Sequence, residues 1–273
     1  MPEKLLTPTR RPVVFVTGAR RGIGRGIAYG MAEHGFDVVV NDIVDDEAMQ
    51  ETLAGLRSRG AGAAMVVADI AQVEHRAELA QRAFAAFGTV DCLVNNAGVQ
   101  VDKRGDMLQA SPESFDRVMS VNLRGTFFLT QAIASRMLEE QRTETAPYRC
   151  IIMLTSANAV AASPQHSEYC ISKAALTMVT KTLALRLAPH RIYVHEVRPG
   201  ITRSDLSGAL SAQYDRITSD PEVVPLMAWG EAAGVGKAVA ALATGAFPFS
   251  TGDAINVDGG MHIPKFTASW DRT

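Results

Sequence analysis

The feature that most constrains the fold of this chain is an alternation, beginning at Val13, of short apolar runs with longer stretches of helical periodicity. The apolar runs are rich in β-branched residues and lack polar alternation, which is typical of parallel strands covered by helices on both faces. Strands that alternate with helices build βαβ units. The sequence therefore predicts an α/β fold with a doubly wound parallel sheet of seven strands. The predicted strands are residues 13–16, 38–40, 64–68, 92–94, 151–154, 192–197 and 254–257.

The length of 273 residues fits one large domain, because α/β domains often exceed about 200 residues. We expect a single domain at residues 12–273 and a flexible N-terminal leader at residues 1–11, which carry charges but no apolar segment. Residues 200–229 combine Pro221 and Pro225 with many small polar side chains. A loop of that length in a compact domain is usually functional, so it is predicted to cover the substrate.

The charge of the chain argues against several classes of partner. Its 27 basic and 29 acidic residues are mixed along the sequence, so no broad field attracts nucleic acid or an anionic membrane. No stretch reaches the roughly 18 apolar residues of a membrane span. The 3 cysteines and 6 histidines lack metal-ligand spacing, and the odd cysteine count indicates free thiols in a reducing compartment. We expect a cytoplasmic protein with a small-molecule partner and no metal.

A glycine-rich turn follows the first predicted strand and opens a helix. Residues 17–24 read Thr-Gly-Ala-Arg-Arg-Gly-Ile-Gly. Gly18 permits a tight turn, Gly22 lets backbone N–H groups approach a pyrophosphate, and Gly24 permits close packing of helix on strand. An isolated glycine motif is as often a structural turn, but its place between the first strand and the first helix favours dinucleotide binding.

The choice between NAD and NADP depends on two local features. Asp42 ends the second predicted strand, where its carboxylate would hydrogen-bond the ribose hydroxyls of NAD and repel a 2′-phosphate. Arg21, just before Gly22, would attract that phosphate. A carboxylate within hydrogen-bond reach repels a phosphate strongly, whereas an arginine at the rim can turn to solvent at little cost. The sequence therefore predicts a preference for NAD(H), with NADP(H) as the alternative.

Three motifs together resemble the short-chain dehydrogenase/reductase family over roughly residues 13–260. They are Thr-Gly-x-x-x-Gly-x-Gly at residues 17–24, Asn-Asn-Ala-Gly at 95–98 and Arg-Pro-Gly at 198–200. The resemblance implies a Rossmann-type sheet and a nicotinamide cofactor. It also implies that Asp69 and Ile70 flank the adenine, that Asn95 and Gly98 line the cofactor, and that Ile201 and Thr202 meet the nicotinamide carboxamide. Beside this role, the Asn/Gly cluster at 96–98 is expected to buttress the central strands. The positions predicted to contact the cofactor are Gly18, Arg20, Arg21, Gly22, Ile23, Gly24, Asp42, Ile43, Asp69, Ile70, Asn95, Ala97, Gly98, Tyr169, Lys173, Pro199, Gly200, Ile201 and Thr202.

Tyr169 and Lys173 stand four residues apart in a predicted helix at residues 167–187 and therefore share one helical face. A phenol has a pKa near 10 and is a poor base at neutral pH. A nearby ammonium and a positive nicotinamide ring favour the phenolate, so we expect both to lower the pKa of Tyr169. The pair thus predicts an acid/base group for oxidoreduction.

The family resemblance implies four catalytic residues, all present here. Tyr169 would remove the alcohol proton as hydride passes to the nicotinamide, or return it to the carbonyl oxygen in reduction. Lys173 would hold the nicotinamide ribose, and Ser156 would orient the substrate carbonyl. Asn122, expected to open a helix at residues 122–137, would bind a water that links Lys173 to solvent. His166, three residues before Tyr169, is expected at the surface at the start of the helix, with a place in the wall of the substrate pocket as the alternative.

We therefore expect an NAD(P)-dependent oxidoreductase that interconverts a secondary alcohol and a ketone. One alternative is a 3-oxoacyl-[acyl-carrier-protein] reductase. Such enzymes place arginines on two helices to dock an acidic carrier, but Ser135 and Leu185 occupy those positions here, with Arg136 and Arg186 one residue later. One residue rotates a helical position by roughly 100°. A second alternative is a dinucleotide-sensing scaffold without catalysis, which the intact catalytic set argues against.

The predicted helices at residues 122–137 and 167–187 carry more apolar surface than one face of a sheet can cover. This excess predicts association with a second copy of the chain. The family resemblance implies a homotetramer, with a homodimer as the alternative.

Overall fold

The computed structural model describes residues 10–141, 143, 145–203 and 211–264. Within these residues, seven strands form one parallel sheet. They are β1 (Val13–Thr17), β2 (Asp37–Asp42), β3 (Ala63–Val67), β4 (Cys92–Asn95), β5 (Arg149–Leu154), β6 (Ile192–Pro199) and β7 (Ala254–Val257). Their spatial order is β3-β2-β1-β4-β5-β6-β7. The predicted sheet is confirmed, and each predicted strand boundary lies within two residues of the observed one.

Helices cover both faces of the sheet. One face carries a buried cluster that includes Ile27, Leu53 and Val239, and the other a cluster that includes Leu79 and Ile133. The α-helices of the described residues are α1 (Gly22–Glu33), α2 (Glu47–Ser58), α3 (Arg76–Ala85), α4 (Pro112–Met119), α5 (Thr126–Glu139), α6 (Ser167–Leu187), α7 (Ser211–Thr218) and α8 (Ala232–Ala243). The predicted layer arrangement is therefore confirmed.

The apolar runs that predicted the strands are continuous because successive residues enter different layers. In β1, Val14 and Val16 belong to the cluster under α1, α2 and α8, whereas Val13 and Phe15 belong to the cluster under α3, α5 and α6. All four side chains are at most 2% exposed. A strand buried on both faces has no position for a polar residue, so the run shows no alternation.

Helix α1 packs backbone to backbone against α8, and glycines make this possible. A Cβ atom added at Gly26 would lie 2.6 Å from the carbonyl oxygen of Ala232. One added at Gly236 would lie 2.3 Å from the carbonyl oxygen of Gly26. Because no side chain separates the two helices here, α8 fixes the position of α1, and with it the glycine turn at the amino end of α1.

The helix predicted to begin at Asn122 is wrong at its start. Helix α4 begins directly after Ser111, its N-cap residue. The Ser111 Oγ accepts a hydrogen bond from the Ser114 amide at 3.2 Å. It continues through a π-helical turn (Ser120–Gly125) directly into α5. Asn122 therefore lies inside a widened turn within a longer helical segment. Apolar residues continue across this segment, so periodicity gave no sign of the wider turn.

The predicted substrate loop at residues 200–229 is only partly irregular, because α7 occupies Ser211–Thr218. The rotation of this helix places Thr218 in a buried position at 3% exposure. Residues 204–210 of the predicted loop lie outside the described residues, as do residues 1–9 of the predicted leader.

The N-terminal boundary of the domain differs from the prediction. Arg10 was assigned to the leader, yet its guanidinium donates to both carboxylate oxygens of Asp91 at 2.6 and 2.7 Å. Arg11 pairs with Asp37 at 3.0 Å. Both arginines therefore belong with the domain.

Candidate active site

The predicted site residues converge at the carboxyl ends of the central strands. From β1 the chain order runs outward to β2 and β3, and from β4 it runs the other way to β5, β6 and β7. The loops leaving β1 and β4 therefore diverge to opposite sides of the sheet and leave a crevice between them. Open α/β sheets bind ligands at this kind of switch point.

The glycine turn at this crevice has backbone geometry that other residues rarely adopt. Gly18 and Gly22 have φ values of +62° and +57°. A Cβ atom at Gly24 would lie 2.1 Å from the carbonyl oxygen of Gly18, so the third glycine is required for the close approach of helix and turn. Helix α1 has no side-chain cap and no acidic residue in its first turn. Its free amide groups and its dipole therefore favour an anion here.

The loop after β4 holds the glycine turn in place through hydrogen bonds. The Thr17 hydroxyl accepts hydrogen bonds from the amides of Asn96 and Ala97 at 3.1 and 3.0 Å. The Asn96 side-chain amide donates to the carbonyl oxygens of Thr17 and Gly18, both at 2.9 Å. The buttressing role predicted for the Asn/Gly cluster is therefore confirmed for Asn96.

Asn95 is almost fully buried at 3% exposure, beneath the predicted cofactor position. Its side-chain amide donates to the Thr130 hydroxyl at 2.9 Å and to the sulfur of Met153 at 3.3 Å. Its Oδ1 has no hydrogen-bond partner among the described residues. The Nδ2 group of Asn95 is thus hydrogen-bonded within the fold, and Oδ1 can accept a further hydrogen bond.

Asp42 lies at the end of β2 as predicted, but the arginine beside it differs from the prediction. The Nε atom of Arg20 lies 3.8 Å from Oδ1 of Asp42, and the same guanidinium pairs with Asp46. Arg21 is an exposed residue. The sequence argument set Asp42 against Arg21, whereas Arg20 is the cation that meets the carboxylates. The pairing of Arg20 with Asp42 and Asp46 could not be read from the spacing of the motif.

The predicted adenine-side residues are divided between surface and core. Ile43 directly follows Asp42 and is 68% exposed. The Asp69 carboxylate accepts a hydrogen bond from the Ala71 amide at 2.8 Å, which orders the turn after β3. Ile70 is buried at 6% exposure and packs in the hydrophobic cluster under α3 and α5. Of these positions, Ile43 offers the largest free apolar surface to a planar ring.

The segment after β6 is held close to the edge of the sheet. The Gly200 amide donates to the carbonyl oxygen of Val257 at 3.0 Å, and a Cβ atom at Gly200 would lie 2.7 Å from the Asp258 Cα atom. Thr202 forms a parallel bridge with Gly230, so its backbone is fixed although a long connection follows it. The predicted positions Pro199 to Thr202 therefore form a rigid wall of the crevice.

Lys173 is buried at 4% exposure, and its Nζ atom donates to the carbonyl oxygen of Leu154 at 2.9 Å. That is the only hydrogen bond of this amine among the described residues. Burial lowers the pKa of Lys173 from 10.5 to about 8. A Cβ atom at Gly98 would lie 3.4 Å from Nζ, so the amine faces the loop predicted to line the cofactor. Its remaining hydrogens have no acceptor among the described residues.

Tyr169 differs from the prediction in its ionisation. Burial raises the pKa of Tyr169 to about 12, against an opposing hydrogen bond from Ser156. We expected the Lys173 ammonium to lower this pKa, but Nζ lies 5.6 Å from the centre of the Tyr169 ring and is turned to the carbonyl oxygen of Leu154. Without cofactor, desolvation outweighs the distant charge, and Tyr169 is a phenol at neutral pH.

The Asn122 side chain is fully buried and binds the loop after β4. Its Oδ1 accepts from the Val99 amide at 2.8 Å, and its Nδ2 donates to the carbonyl oxygen of Val99 at 3.0 Å. Nδ2 also donates to the Ser172 hydroxyl at 3.0 Å. The π-helical turn thus directs one amide side chain to both the loop next to Gly98 and the helix of Lys173.

A buried carboxylate beneath the site was missed by the sequence argument. Glu196 in β6 is 1% exposed, and its Oε1 accepts from the hydroxyls of Thr155 and Thr177 at 2.6 and 2.8 Å. Arg198 donates to the same oxygen at 2.6 Å. This network fixes Thr155 directly before Ser156 and ties the end of β5 to α6. Glu196 and Arg198 lie within a strand, and the sequence around them gave no indication of their partners.

His166 is buried at 8% exposure, so its predicted surface position is wrong. Its ring meets the Tyr169 ring edge to face, with 5.9 Å between ring centres. Burial lowers its pKa, and Arg104 acts in the same direction. The spacing of three residues from Tyr169 was the available signal, because i and i+3 share a helical face. Arg104 and Tyr214, which also lie near Tyr169, come from distant loops and had no such signal.

A nicotinamide dinucleotide fits the site on independent observations. The uncapped start of α1 with its two left-handed glycines suits a pyrophosphate, and Asp42 suits ribose hydroxyls. The part of the chain that the structure describes leaves the remaining hydrogens of Lys173 without acceptors, which ribose hydroxyls would supply. No helix among the described residues is both long and apolar enough to cross a membrane.

Comparisons with known proteins agree with this fit. The family model described as enoyl-(acyl carrier protein) reductase matches residues 18–262. The 3-oxoacyl-[acyl-carrier-protein] reductase FabG of Staphylococcus epidermidis is 34% identical over 250 residues, which cover 91% of this chain and 98% of that protein. The 3beta-hydroxysteroid dehydrogenase 1 of Eggerthella lenta is 33% identical over 92% of this chain and 93% of its own. A crystal structure of 3-oxoacyl-[acyl-carrier protein] reductase from Brucella melitensis in complex with NAD is 46% identical, with a TM-score of 0.90, and covers 94% of this chain and 99% of that one.

The fold and the site define a nicotinamide-dependent oxidoreductase built on a Rossmann-type sheet. The chain belongs to the short-chain dehydrogenase/reductase family. It is accordingly an NAD(P)-dependent enzyme that acts on CH–OH and keto groups, as the motifs predicted. The curated relatives at 34% and 33% identity carry the names of a carrier-protein reductase and a steroid dehydrogenase, so overall similarity leaves the substrate open.

Proposed function

We propose that this enzyme interconverts a secondary alcohol and a ketone with Tyr169 as its acid/base group. The observation that carries the proposal is the buried Lys173 amine, which has one protein acceptor and lies beside Tyr169 and Gly98. A buried amine with only one acceptor among the described residues is costly in a resting fold. A bound ligand that supplies the missing acceptors would remove this cost.

The side chains of the chain divide the chemistry between them. The nicotinamide, when bound, supplies or accepts the hydride. In reduction, the Tyr169 phenol donates its proton to the carbonyl oxygen, and the Ser156 hydroxyl donates a hydrogen bond to the same oxygen. In oxidation, the Tyr169 phenolate takes the alcohol proton. Lys173 holds the nicotinamide ribose. Asn122 binds a water that links Lys173 to solvent.

NAD(H) is the proposed cofactor, with NADP(H) as the alternative. The support is the group formed by Asp42, Asp46 and Arg20, in which two carboxylates surround one guanidinium. A 2′-phosphate would meet the Asp42 and Asp46 carboxylates at this place and would have to displace Arg20 from them. The Brucella melitensis structure with NAD, 46% identical, is consistent with this choice.

The names of the bacterial relatives favour a second candidate, the reduction of 3-oxoacyl groups on a carrier protein. Two exposed positions argue against it, Ser135 and Leu185, which are uncharged at the places expected to dock an acidic carrier. Arg136 instead covers the Phe84 ring at 4.7 Å, and Arg186 contacts His190 at 3.0 Å. Turnover of acetoacetyl carrier protein far above that of free small ketones would support the carrier-protein reading.

The proposed assembly is a homotetramer, with a homodimer as the alternative, and the proposed compartment is the cytoplasm, in keeping with the three free cysteines. An apolar groove of about 740 Å³ runs between α4, α5 and α6 and includes Leu123, Phe127 and Met178. Phe127 and Met178 are 38% and 59% exposed. Large exposed apolar side chains on adjacent helices are typical of an interface. Mass measurement by light scattering, with Met178→Glu as the disrupting variant, tests the assembly.

The test of the function itself is a screen for NADH oxidation over ketones, sugars and acyl thioesters, followed by Tyr169→Phe with the best substrate. This variant should still bind NADH and lose roughly 100-fold or more in kcat. Full activity in Tyr169→Phe would refute the assignment of the acid/base group. Normal NADH binding with no turnover of any compound by the wild type would favour the sensing scaffold.

A further inference from the structure

A second group of polar side chains lies beside Tyr169 and takes no part in the proton transfer. Arg104 comes from the segment between β4 and α4, Tyr214 from α7, and His166 from the turn just before α6. The Arg104 guanidinium donates to the Tyr214 hydroxyl, and its central carbon lies 5.5 Å from the centre of the Tyr214 ring. Three distant segments of the chain thus meet at one place.

Several contacts hold this group next to the reacting centre. The His166 ring meets the Tyr169 ring at 5.9 Å between centres. The Arg104 guanidinium lowers the pKa of both Tyr169 and His166, so its charge lies close to both side chains. The Tyr214 ring packs edge to face on Trp229 at 5.8 Å.

The backbone next to Arg104 is tied to the turn before α6, since the Gly105 amide donates to the carbonyl oxygen of Gln165 at 3.1 Å. A cavity of about 390 Å³ opens between these two segments. The residues that line it are Arg104, Gly105, Asp106, Pro164 and Gln165. Arg104 is therefore accessible from this cavity, whose wall at Pro164 and Gln165 directly precedes His166.

Two features of the group indicate a missing ligand. Both ring nitrogens of His166 are buried and have no hydrogen-bond partner among the described residues. Buried polar atoms are nearly always hydrogen-bonded, because an unmet hydrogen bond costs about 1–3 kcal/mol. Arg104 makes no ion pair with a described carboxylate, and its one hydrogen-bond acceptor among the described residues is the neutral Tyr214 hydroxyl. A ligand with acceptor oxygens would satisfy both residues.

The carboxylates near the group are already occupied by other donors. Asp106 accepts from the Leu108 amide at 3.0 Å. Glu168 accepts from the hydroxyls of Ser114 and Ser167 at 3.1 and 3.2 Å. Asp215 accepts from the Trp229 indole at 2.8 Å. Arg104 thus keeps an unmatched positive charge on the side of the site that faces Tyr169.

We propose that Arg104, Tyr214 and His166 form a subsite for a carboxylate of the substrate, so that the alcohol handled at Tyr169 is a hydroxy acid and the ketone an oxo acid. The inference rests on the proposed role of Tyr169. An arginine binds a carboxylate through two parallel N–H groups, and the phenol and neutral imidazole each add a donor. One cation with neutral donors matches a singly charged anion, whereas a phosphate dianion commonly recruits further cations or a helix amino end.

The test compares hydroxy acids of three to six carbons with their own methyl esters, using NAD and wild-type enzyme. The acid of the best pair should have a kcat/KM at least tenfold above that of its ester. Arg104→Gln should lower kcat/KM for the acid by roughly tenfold to 100-fold, as expected for loss of a charge-assisted hydrogen bond. The same variant should lower kcat/KM for the ester by less than this, because there it removes only the effect of the Arg104 charge on the pKa of Tyr169. Lys103→Gln is the matched control, since it removes an exposed neighbouring charge and should alter neither rate.

Equal losses for acid and ester in Arg104→Gln, or a wild-type preference for the ester, would overturn the subsite while leaving the oxidoreductase function intact. If no pair turns over, the wider screen over ketones, sugars and acyl thioesters decides the proposed function, and binding decides the subsite. Glutarate is then titrated against the enzyme–NADH complex, with the fluorescence of Trp229 beside Tyr214 as the signal. Saturation that weakens at least tenfold in Arg104→Gln supports the subsite, and an unchanged or absent signal in the wild type refutes it.

Discussion

The amine of Lys173 lies 5.6 Å from the centre of the Tyr169 ring, yet its hydrogen bond is to the carbonyl oxygen of Leu154 at 2.9 Å. The two side chains share one face of α6, but burial shifts their pKa values in opposite directions. The pKa of Tyr169 rises to about 12 and that of Lys173 falls to about 8. Both groups therefore favour their neutral forms before a cofactor is bound.

This relationship predicts different pH profiles for the two reaction directions. Reduction uses the Tyr169 phenol, which stays protonated from pH 6 to 9, so kcat/KM for the ketone should be nearly flat. Oxidation uses the phenolate, whose fraction grows tenfold per pH unit below the pKa. Its kcat/KM should rise with pH and flatten above about pH 8, where Lys173 loses its charge. Profiles at saturating cofactor test this, and an oxidation rate that falls between pH 6 and 8 would contradict it.

Lys173→Met should abolish activity while stabilising the fold at neutral pH. The folded pKa of about 8 lies below the ordinary value of 10.5, so the unfolded chain binds more protons between these two values. Stability of the wild type therefore rises with pH across that window, and the cost of the buried charge is complete below pH 8. Removing it should raise the free energy of unfolding by about 1–2 kcal/mol at pH 7, after the lost hydrogen bond to Leu154 is subtracted.

The measurement is urea unfolding of both proteins at one subunit concentration, at pH 7 and at pH 10. The gain of Lys173→Met over the wild type should shrink at pH 10, where Lys173 is neutral in the fold. A variant that is less stable than the wild type at pH 7, or a gain that does not depend on pH, would show that Lys173 is satisfied within the protein.

Asp42→Ser should shift cofactor preference toward NADP(H). The substitution removes one of the two carboxylates that surround Arg20 and frees the guanidinium to meet a 2′-phosphate. The ratio of kcat/KM for NADPH to that for NADH should rise at least tenfold. A change of this size corresponds roughly to the free energy of one charged hydrogen bond. Asp45→Ser is the control, because this exposed carboxylate bonds Gln50 and lies outside the group. An unchanged ratio in Asp42→Ser would remove Asp42 from the specificity argument.

Local patterns in the sequence were sufficient to predict the sheet, α6 and the positions of Tyr169 and Lys173. Strands β1 to β7 are short runs of β-branched residues between turn-forming residues. Such runs rarely form any other element of secondary structure. The π-helical turn at Asn122 was not predictable, because the apolar pattern continues from α4 into α5. The burial of His166 and its nearness to Arg104 depend on contacts between segments distant in sequence. Which arginine meets Asp42 depends on side-chain direction in a glycine turn, which the spacing of a motif does not contain.

The third glycine of the turn offers a steric test with an internal control. At Gly24 an added Cβ atom would lie 2.1 Å from the carbonyl oxygen of Gly18, which cannot move without opening the turn. Gly24→Ala should therefore weaken NADH binding at least tenfold and lower the melting temperature. Gly234 lies exposed in α8 with no atom within 4 Å of an added Cβ. Gly234→Ala should stabilise the protein by about 0.5–1 kcal/mol, because alanine loses less backbone entropy in a helix. Calorimetry and NADH titration of both variants give the comparison, and equal behaviour of the two would mean that the turn adapts to a methyl group.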